Sequence, residues 1–383
     1  MSTESPWMDS ELRLLSDQVG KFIQAELAPH AARWQREHCI DRSAWRDAGA
    51  AGILCASIPT EYGGGGGTLA HELVVLQELD RAGLTDFSAG VSISSAIVAH
   101  YLFAYGGEDQ KQRWLPRMAS GEFIGAIAMT EPGAGSDLKN MGTLARVEGD
   151  GYRLSGQKTF ITNGFHADLV VVAAKTTGSS ASNAISLFVI ETSDLEGFTR
   201  GKPMEKIGMH SQDTCELFFD DVYVPSSDRL GSNEGEGFSQ LTKQLGWERL
   251  VCAQAALVGM ERAVELTVAY TKERSAFGKK VADFQNTQFK LAECRTQAVV
   301  ARAFFDSLVA QVLGGNLDPV TAAMAKWWIT DAQSSVADQC LQLHGGYGYM
   351  AEYPIARLWT DARAMRIYAG TNEIMKLIIA RSL

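Results

Sequence analysis

The spacing of apolar residues changes period twice along this chain, and no other feature restricts the possible folds as much. From residue 10 to about residue 122, apolar side chains recur every three or four positions, as at Leu12, Leu15, Val19 and Phe22, the period of an amphipathic helix. From about 123 to 230 the texture becomes short β-branched and aromatic runs, at 169–173, 185–190 and 217–224, with turn residues at 149–151 and 177–183. That is the pattern of a small antiparallel β domain. Helical spacing returns from Gly235 and persists to the end. The expected class is α+β, with a helical domain at 1–122, a β domain at 123–232 and a second helical domain at 233–383. Five consecutive glycines at 63–67 cannot continue a helix, so they predict a loop between helices. No Gly-Lys-Ser/Thr ending follows them, so they are not a phosphate loop.

A length of 383 residues fits two or three domains at roughly 100–200 residues each, and 46% hydrophobic residues supply ample core without disulfides. The net charge of −10 argues against nucleic acid as a partner, because phosphate binding needs clustered Lys and Arg. The six cysteines (Cys39, Cys55, Cys215, Cys252, Cys294 and Cys340) form no C-x-x-C pair, so no metal site is expected and reduced cytoplasmic thiols fit best. The first fifteen residues lack an apolar signal core, and no run of about 18 apolar residues exists, so no membrane span is expected.

Three segments carry possible chemistry. On a helix predicted over 237–272, successive residues stand 100° apart. Lys243, Gln244, Trp247, Gln254, Glu261, Arg262 and Glu265 then share one arc, the expected solvent or rim face. Arg249 falls inside the apolar arc, and Glu248 falls near its edge beside Leu241 and Cys252. A carboxylate among apolar neighbours loses hydration and becomes a stronger base; a buried ion pair with a distant arginine fits the same pattern. Thr371, before the helical spacing of 374–377, is a good N-cap, marking either a capped final helix or an anion-holding N-terminus. Thr130-Glu131-Pro132-Gly133-Ala134-Gly135-Ser136-Asp137 fixes an irregular loop with accessible backbone donors. Leu138 occupies the place of the last glycine in G-x-G-x-x-G, so a Rossmann turn is not supported.

Together these segments resemble the acyl-CoA dehydrogenase family. Ala128-Met129 with the loop just quoted matches one motif of that family. Gln342-Leu343-His344-Gly345-Gly346-Tyr347-Gly348-Tyr349, followed by Tyr368-Ala369-Gly370-Thr371-Asn372-Glu373, matches another. Arg274-Ser275-Ala276-Phe277-Gly278-Lys279 and Phe284-Gln285 are similar to a flavin-contacting segment. Within the family the chain is most similar to the long-chain members, with isovaleryl members next, through Gln212-Asp213-Thr214-Cys215-Glu216-Leu217-Phe218-Phe219 and 372–376.

The resemblance implies an FAD enzyme of fatty acid β-oxidation with a C-terminal four-helix bundle, in which a medium- to long-chain acyl-CoA becomes a trans-2-enoyl-CoA. It implies that Ile127, Ala128, Met129, Thr130, Phe160, Ile161 and Thr162 hold the flavin ring, and that Gly135 and Ser136 approach the pyrophosphate. Arg274, Phe277, Gln285, Gln342, Leu343, Gly345 and Gly346 would reach the FAD of a neighbouring subunit, with Thr371 and Glu373 completing the site. Ser136, Gly246, Arg249, Tyr368 and Gly370 would meet the substrate, and the Ala369 N–H would polarise its thioester oxygen. An electron-transfer flavoprotein is the implied electron acceptor, and a homotetramer built as a dimer of dimers the implied assembly. Most members carry their catalytic glutamate where this chain has Ala369. Long-chain and isovaleryl members supply it from a helix, directly before Arg, and Glu248-Arg249 fits that arrangement. Glu131 is left a loop-holding role. The small-residue segment 88–96 leaves room for a long acyl tail, or marks a close helix contact. A branched-chain or carrier-protein-bound acyl thioester, and a flavin monooxygenase on the same fold, are the competing readings.

Overall fold

A computed structural model describes residues 5–177 and 184–383. The N-terminal part is helical: α1 Ser10–Phe22, α2 Ala31–Glu37, α3 Arg42–Ala50, α4 Leu69–Arg81, α5 Thr85–Val91, α6 Ala99–Tyr105 and α7 Glu108–Ala119. Local chemistry sets several of these starts. Asp9 caps α1 by accepting from the Leu12 N–H at 2.9 Å, and Thr68 with His71 forms a capping box on α4. The glycine tract lies between α3 and α4, packed so closely that a Cβ on Gly64 would sit 2.2 Å from the Ile58 carbonyl oxygen.

A wider π-turn stretch, Ser92–Val98, joins α5 to α6, so Thr85–Tyr105 is one helical run of 21 residues, within which an 18-residue window reaches a mean hydropathy of 1.4. Contrary to the expectation of no membrane span, the described residues therefore hold one helix of membrane-spanning length and composition. Ser88, Ser92, Ser94, Ser95 and His100 interrupt the apolar run, so it does not read as continuous in the sequence. Two thirds of that window (67%) is buried within the chain, so its apolarity goes into internal packing.

The middle part is one sheet of β1 Gly125–Ala128, β2 Leu144–Glu148, β3 Gly151–Thr162, β4 Leu169–Thr177, β5 Ile185–Glu191, β6 Phe198–Arg200 and β7 Thr214–Pro225. The antiparallel expectation holds for β2–β3, β3–β7, β4–β5 and β6–β7. Two further pairs run parallel, β1–β4 with Ile127 opposite Val171, and β2–β4 with Ala145 opposite Thr176. The sheet is thus mixed, because β4 is central and buried on both faces, and it accepts non-local strands on the edge that its hairpin partner β5 leaves free. The expected turn at 149–151 joins β2 to β3. At the expected turn of 177–183, Thr177 ends β4 and residues 178–183 lie outside the described residues.

The C-terminal part holds α8 Gly237–Glu273, the hairpin β8 Ser275–Ala276 with β9 Lys279–Lys280, α9 Gln285–Leu313, α10 Pro319–Leu343, α11 Pro354–Met365 and α12 Asn372–Ala380. Helices α8, α9, α10 and α11 form the bundle, and α12 packs on α10. Helix α8 is also covered by α4 and α6 of the N-terminal part. Its midsection, Gly246–Ala256, is consequently buried on nearly every side, and one apolar cluster runs from Val19 and Leu73 through Leu250 and Cys252 to Met365.

Candidate active site

Burial all round α8 changes the expected picture of its polar arc. Trp247 and Gln254, predicted on the solvent or rim face, are 7% and 0% exposed. The Trp247 indole donates to the Ala96 carbonyl at 2.7 Å, and the Gln254 amide donates to the Leu73 carbonyl at 2.6 Å. Both are polar caps on helix–helix contacts, which a rotational plot cannot distinguish from wetted residues.

Glu248 is 6% exposed. Burial pushes its carboxyl up to about 7, against the opposing pull of a hydrogen bond from Tyr101 and the charge of Arg249. The Tyr101 hydroxyl donates to Oε1 at 2.8 Å. Among the described residues Glu248 forms no ion pair, so the alternative of a salt bridge to a distant arginine is not what the chain builds. Arg249 is equally buried, burial pushes its guanidinium below its usual range, and its Nε lacks a partner. Gly246 lies two residues before Glu248 on the same buried stretch.

The segment after α11 crosses α8 one turn beyond Glu248, where the Cys252 thiol reaches the Met365 carbonyl at 3.7 Å. Tyr368 stands beside Cys252, and burial pushes its hydroxyl well up, although 39% of the residue is accessible. Ala369 takes φ 53 and Gly370 φ 85, two successive left-handed residues that make a sharp turn, with Ala369 packed against the main apolar cluster. Among the described residues, neither their N–H groups nor that of Thr371 has an acceptor. The turn is held from behind by Lys326, whose ammonium donates to the Gly370 carbonyl at 2.7 Å and to Asn372 Oδ1 at 3.0 Å. Thr371 caps α12 as predicted, accepting from the Ile374 N–H at 3.3 Å. Glu373, in the first turn of α12, is held below the usual carboxylate range by its own N–H and the Thr371 hydroxyl.

A second group of residues gathers at the sheet. Ile127, Ala128, Met129 and Thr130 run along β1 and out of it, and the Thr130 carbonyl accepts from the Thr159 N–H at 2.9 Å. The β3–β7 register slips between Lys158 and Ile161, and Phe160 there takes φ 59 with its ring 67% exposed. Ile161 and Ala128 point into the core at 2% and 0% exposure, so only their backbones are available to a ligand. Thr162 ends β3. In the following loop, a Cβ on Gly133 would meet nothing within 4 Å, and among the described residues the N–H groups of Gly135 and Ser136 lack acceptors. An exposed ring beside unpaired donors over open space fits a flat cofactor with a pyrophosphate. Glu131 holds this loop from within. Its carboxylate accepts from the Thr143 N–H at 2.9 Å and from the buried Lys158 ammonium at 2.8 Å. Burial alone would push Glu131 up, but those bonds keep it below its usual range.

The remaining predicted residues form a third group. Arg274, Leu343, Gly345 and Gly346 line a cleft of about 430 Å³ with Tyr270, His344 and Tyr347. Gln342 and Gln285 are exposed nearby, and Phe277 at the β8–β9 hairpin is 97% exposed. Among the described residues no hydrogen bond ties this group to the β1 loop. Sequence reasoning missed Tyr101 and Lys326. The only trace of Lys326 was a lysine among Ala322, Ala323, Ala325 and Ile329, and that of Tyr101 a tyrosine among apolar residues.

Three family profiles match the chain: acyl-CoA dehydrogenase N-terminal domain over 9–122, middle domain over 126–222 and C-terminal domain over 235–383. It is 46% identical to the long-chain specific acyl-CoA dehydrogenase of Sus scrofa, covering 98% of this chain and 86% of that protein. It is 36% identical to the isovaleryl-CoA dehydrogenase of Pongo abelii, covering 98% and 89%. A crystal structure of acyl-CoA dehydrogenase from Geobacillus kaustophilus superposes with a TM-score of 0.95 at 46% identity, covering 99% of each chain.

Proposed function

The chain belongs to the acyl-CoA dehydrogenase family, and on that premise we propose that it forms a trans-2-enoyl-CoA from a medium- to long-chain, straight acyl-CoA, with Glu248 removing the α proton. The family's members are oxidoreductases acting on CH–CH donors, and FAD is the cofactor. The observation that carries the assignment of the base is the burial of Glu248 without an ion pair, its carboxyl pushed up to about 7. A saturated thioester α carbon is a very weak acid, and a poorly hydrated carboxylate is the stronger base for it. Position 369 cannot serve, since alanine has no proton acceptor.

The chain's own groups divide the work. The unpaired N–H of Ala369 is the donor for the thioester oxygen as enolate charge develops, and one such donor is worth about 3 kcal/mol. Lys326 keeps that N–H aimed by holding the next carbonyl. Gly246, Arg249, Tyr368, Gly370 and Ser136 surround the substrate, and the unpaired Arg249 guanidinium favours negative charge there. Ile127, Ala128, Met129, Thr130, Phe160, Ile161 and Thr162 hold the flavin ring, Gly135 and Ser136 its pyrophosphate, and Thr371 with Glu373 closes the site. When bound, FAD supplies the acceptor for the β hydrogen, taken as hydride. An electron-transfer flavoprotein is the proposed electron acceptor.

Arg274, Phe277, Gln285, Gln342, Leu343, Gly345 and Gly346 are assigned to the FAD of a neighbouring copy, within a homotetramer. The 46% identity to a long-chain enzyme supports the longer substrates. Six free thiols support a cytoplasmic setting.

The test is anaerobic titration of the purified yellow protein with saturated acyl-CoAs of graded length, read by loss of flavin absorbance. Bleaching that strengthens from four to about twelve or more carbons is expected, the long end being set by pocket volume. Preference for a short branched thioester would overturn the chain-length reading, and no bleaching by any acyl-CoA the whole proposal.

A further inference from the structure

Among the described residues, one group only hydrogen-bonds the Glu248 carboxylate. Tyr101, at 0% exposure on α6, places its hydroxyl 2.8 Å from Oε1, across 147 residues of sequence and from the N-terminal helical part. Among the described residues Oε2 has no hydrogen-bond partner. We propose that Tyr101 is a positioning residue for α-proton removal: its hydroxyl clamps Oε1 of Glu248 and leaves Oε2 as the oxygen that takes the proton. This rests on Glu248 being the base.

No neighbouring group substitutes for the clamp. Arg249 follows Glu248 on α8, 100° further round, and makes no hydrogen bond to it. Tyr105, one turn beyond Tyr101, donates to the Gln240 carbonyl at 3.3 Å and accepts from the Gln244 amide at 3.5 Å. His100 lies beside Trp247, ring centroids 6.0 Å apart, but its Nε2 faces the Ser57 hydroxyl at 3.0 Å. Lys326 and Tyr368 face Cys252, a turn away. The titratable and charged groups that act on Glu248 are therefore Tyr101 and Arg249, with Tyr105 next outward. A glutamate side chain has three rotors, and pinning one oxygen removes most of their freedom before substrate arrives. The same bond favours the ionised form, the form that can abstract a proton.

Tyr101→Phe keeps the ring and removes the hydroxyl. With FAD content and KM held, the acid limb of the flavin-reduction rate should move upward by about one pH unit or more, the size expected for loss of a hydrogen bond to a charge. In a Glu248→Gln background, Tyr101→Phe should change nothing further. A FAD-replete Tyr101→Phe with an unmoved acid limb overturns the proposal and reduces Tyr101 to a packing role. If Tyr101→Phe fails to fold, difluorotyrosine at position 101, a stronger donor, decides: the limb moves downward if the clamp acts and stays if it does not. Undiminished bleaching by Glu248→Gln would instead remove the base itself, so the two failures are distinguishable.

Discussion

The surroundings of Glu248 and the cleft around Arg274 differ in who supplies their walls. Around Glu248 one chain suffices: α6, α8, the segment after α11 and the shared apolar core leave 6% of the residue exposed. Around Arg274 the same chain leaves Phe277 97%, Tyr349 84%, Tyr347 44% and Met350 41% exposed. Fully burying one such side chain stabilises by about 1.5–3 kcal/mol, so this grouping is unfinished surface, while the base is finished interior. On the proposed reading, proton abstraction is built within a chain and the far end of the cofactor is held between chains.

The sharpest way to break that contrast is Glu248→Gln. It should retain yellow FAD and lose bleaching by about 10²–10⁴-fold, the usual contribution of a general base. The wild type carries a pH signature of the same group. With the carboxyl raised to about 7, the reactive ionised form is present above that pH, and the bleaching rate falls about tenfold per unit below it. An unaltered rate in Glu248→Gln would move the base elsewhere in the chain.

Phe277→Asp tests the other side. A carboxylate where a ring should be covered should cost assembly about 2 kcal/mol or more per contact, seen as smaller species in sedimentation and as FAD lost on dilution. Variants at Glu248 should sediment as wild type. If Phe277→Asp keeps both its assembly and its FAD, the inter-chain half of the comparison is wrong.

Legibility in the sequence follows the range of the interactions. Thr371 was readable because a cap acts over three residues, and α8 because its apolar spacing runs unbroken for ten turns. Glu248 was readable as an anomaly, though its partner Tyr101, 147 residues away, was not. The polar arc failed at Trp247 and Gln254 because hydrogen bonds across helix contacts look, in sequence, like hydration. The β domain read as antiparallel because hairpins advertise their turns, whereas the parallel neighbours of β4 arrive over long connections. The flavin loop was legible through its family motif alone; its inner brace, Glu131 to Lys158, joins the loop after β1 to β3 and has no local signal.

The smallest effect asks whether a raised carboxyl by itself marks a base. Glu72 is fully buried on α4, and burial pushes it up to about 7 as it does Glu248. Its Oε1, however, accepts from the Ser57 N–H at 3.0 Å and the Ser57 hydroxyl at 3.1 Å, while Oε2 is enclosed without a partner. The folded chain therefore keeps a proton that the unfolded chain releases near its ordinary value of 4.5. The sign follows: stability is lost as pH rises from about 4.5 through about 7. Glu72→Gln keeps the acceptor for Ser57 and removes the ionisation, so it should flatten that decline and gain ~1 kcal/mol at pH 8, read as a higher Tm there and little change at pH 5. The acid limb of bleaching should stay where it is. A limb that moved with Glu72 would mean that the proton taken from substrate is shared beyond Glu248, and that the base is not the self-contained interior the comparison makes it.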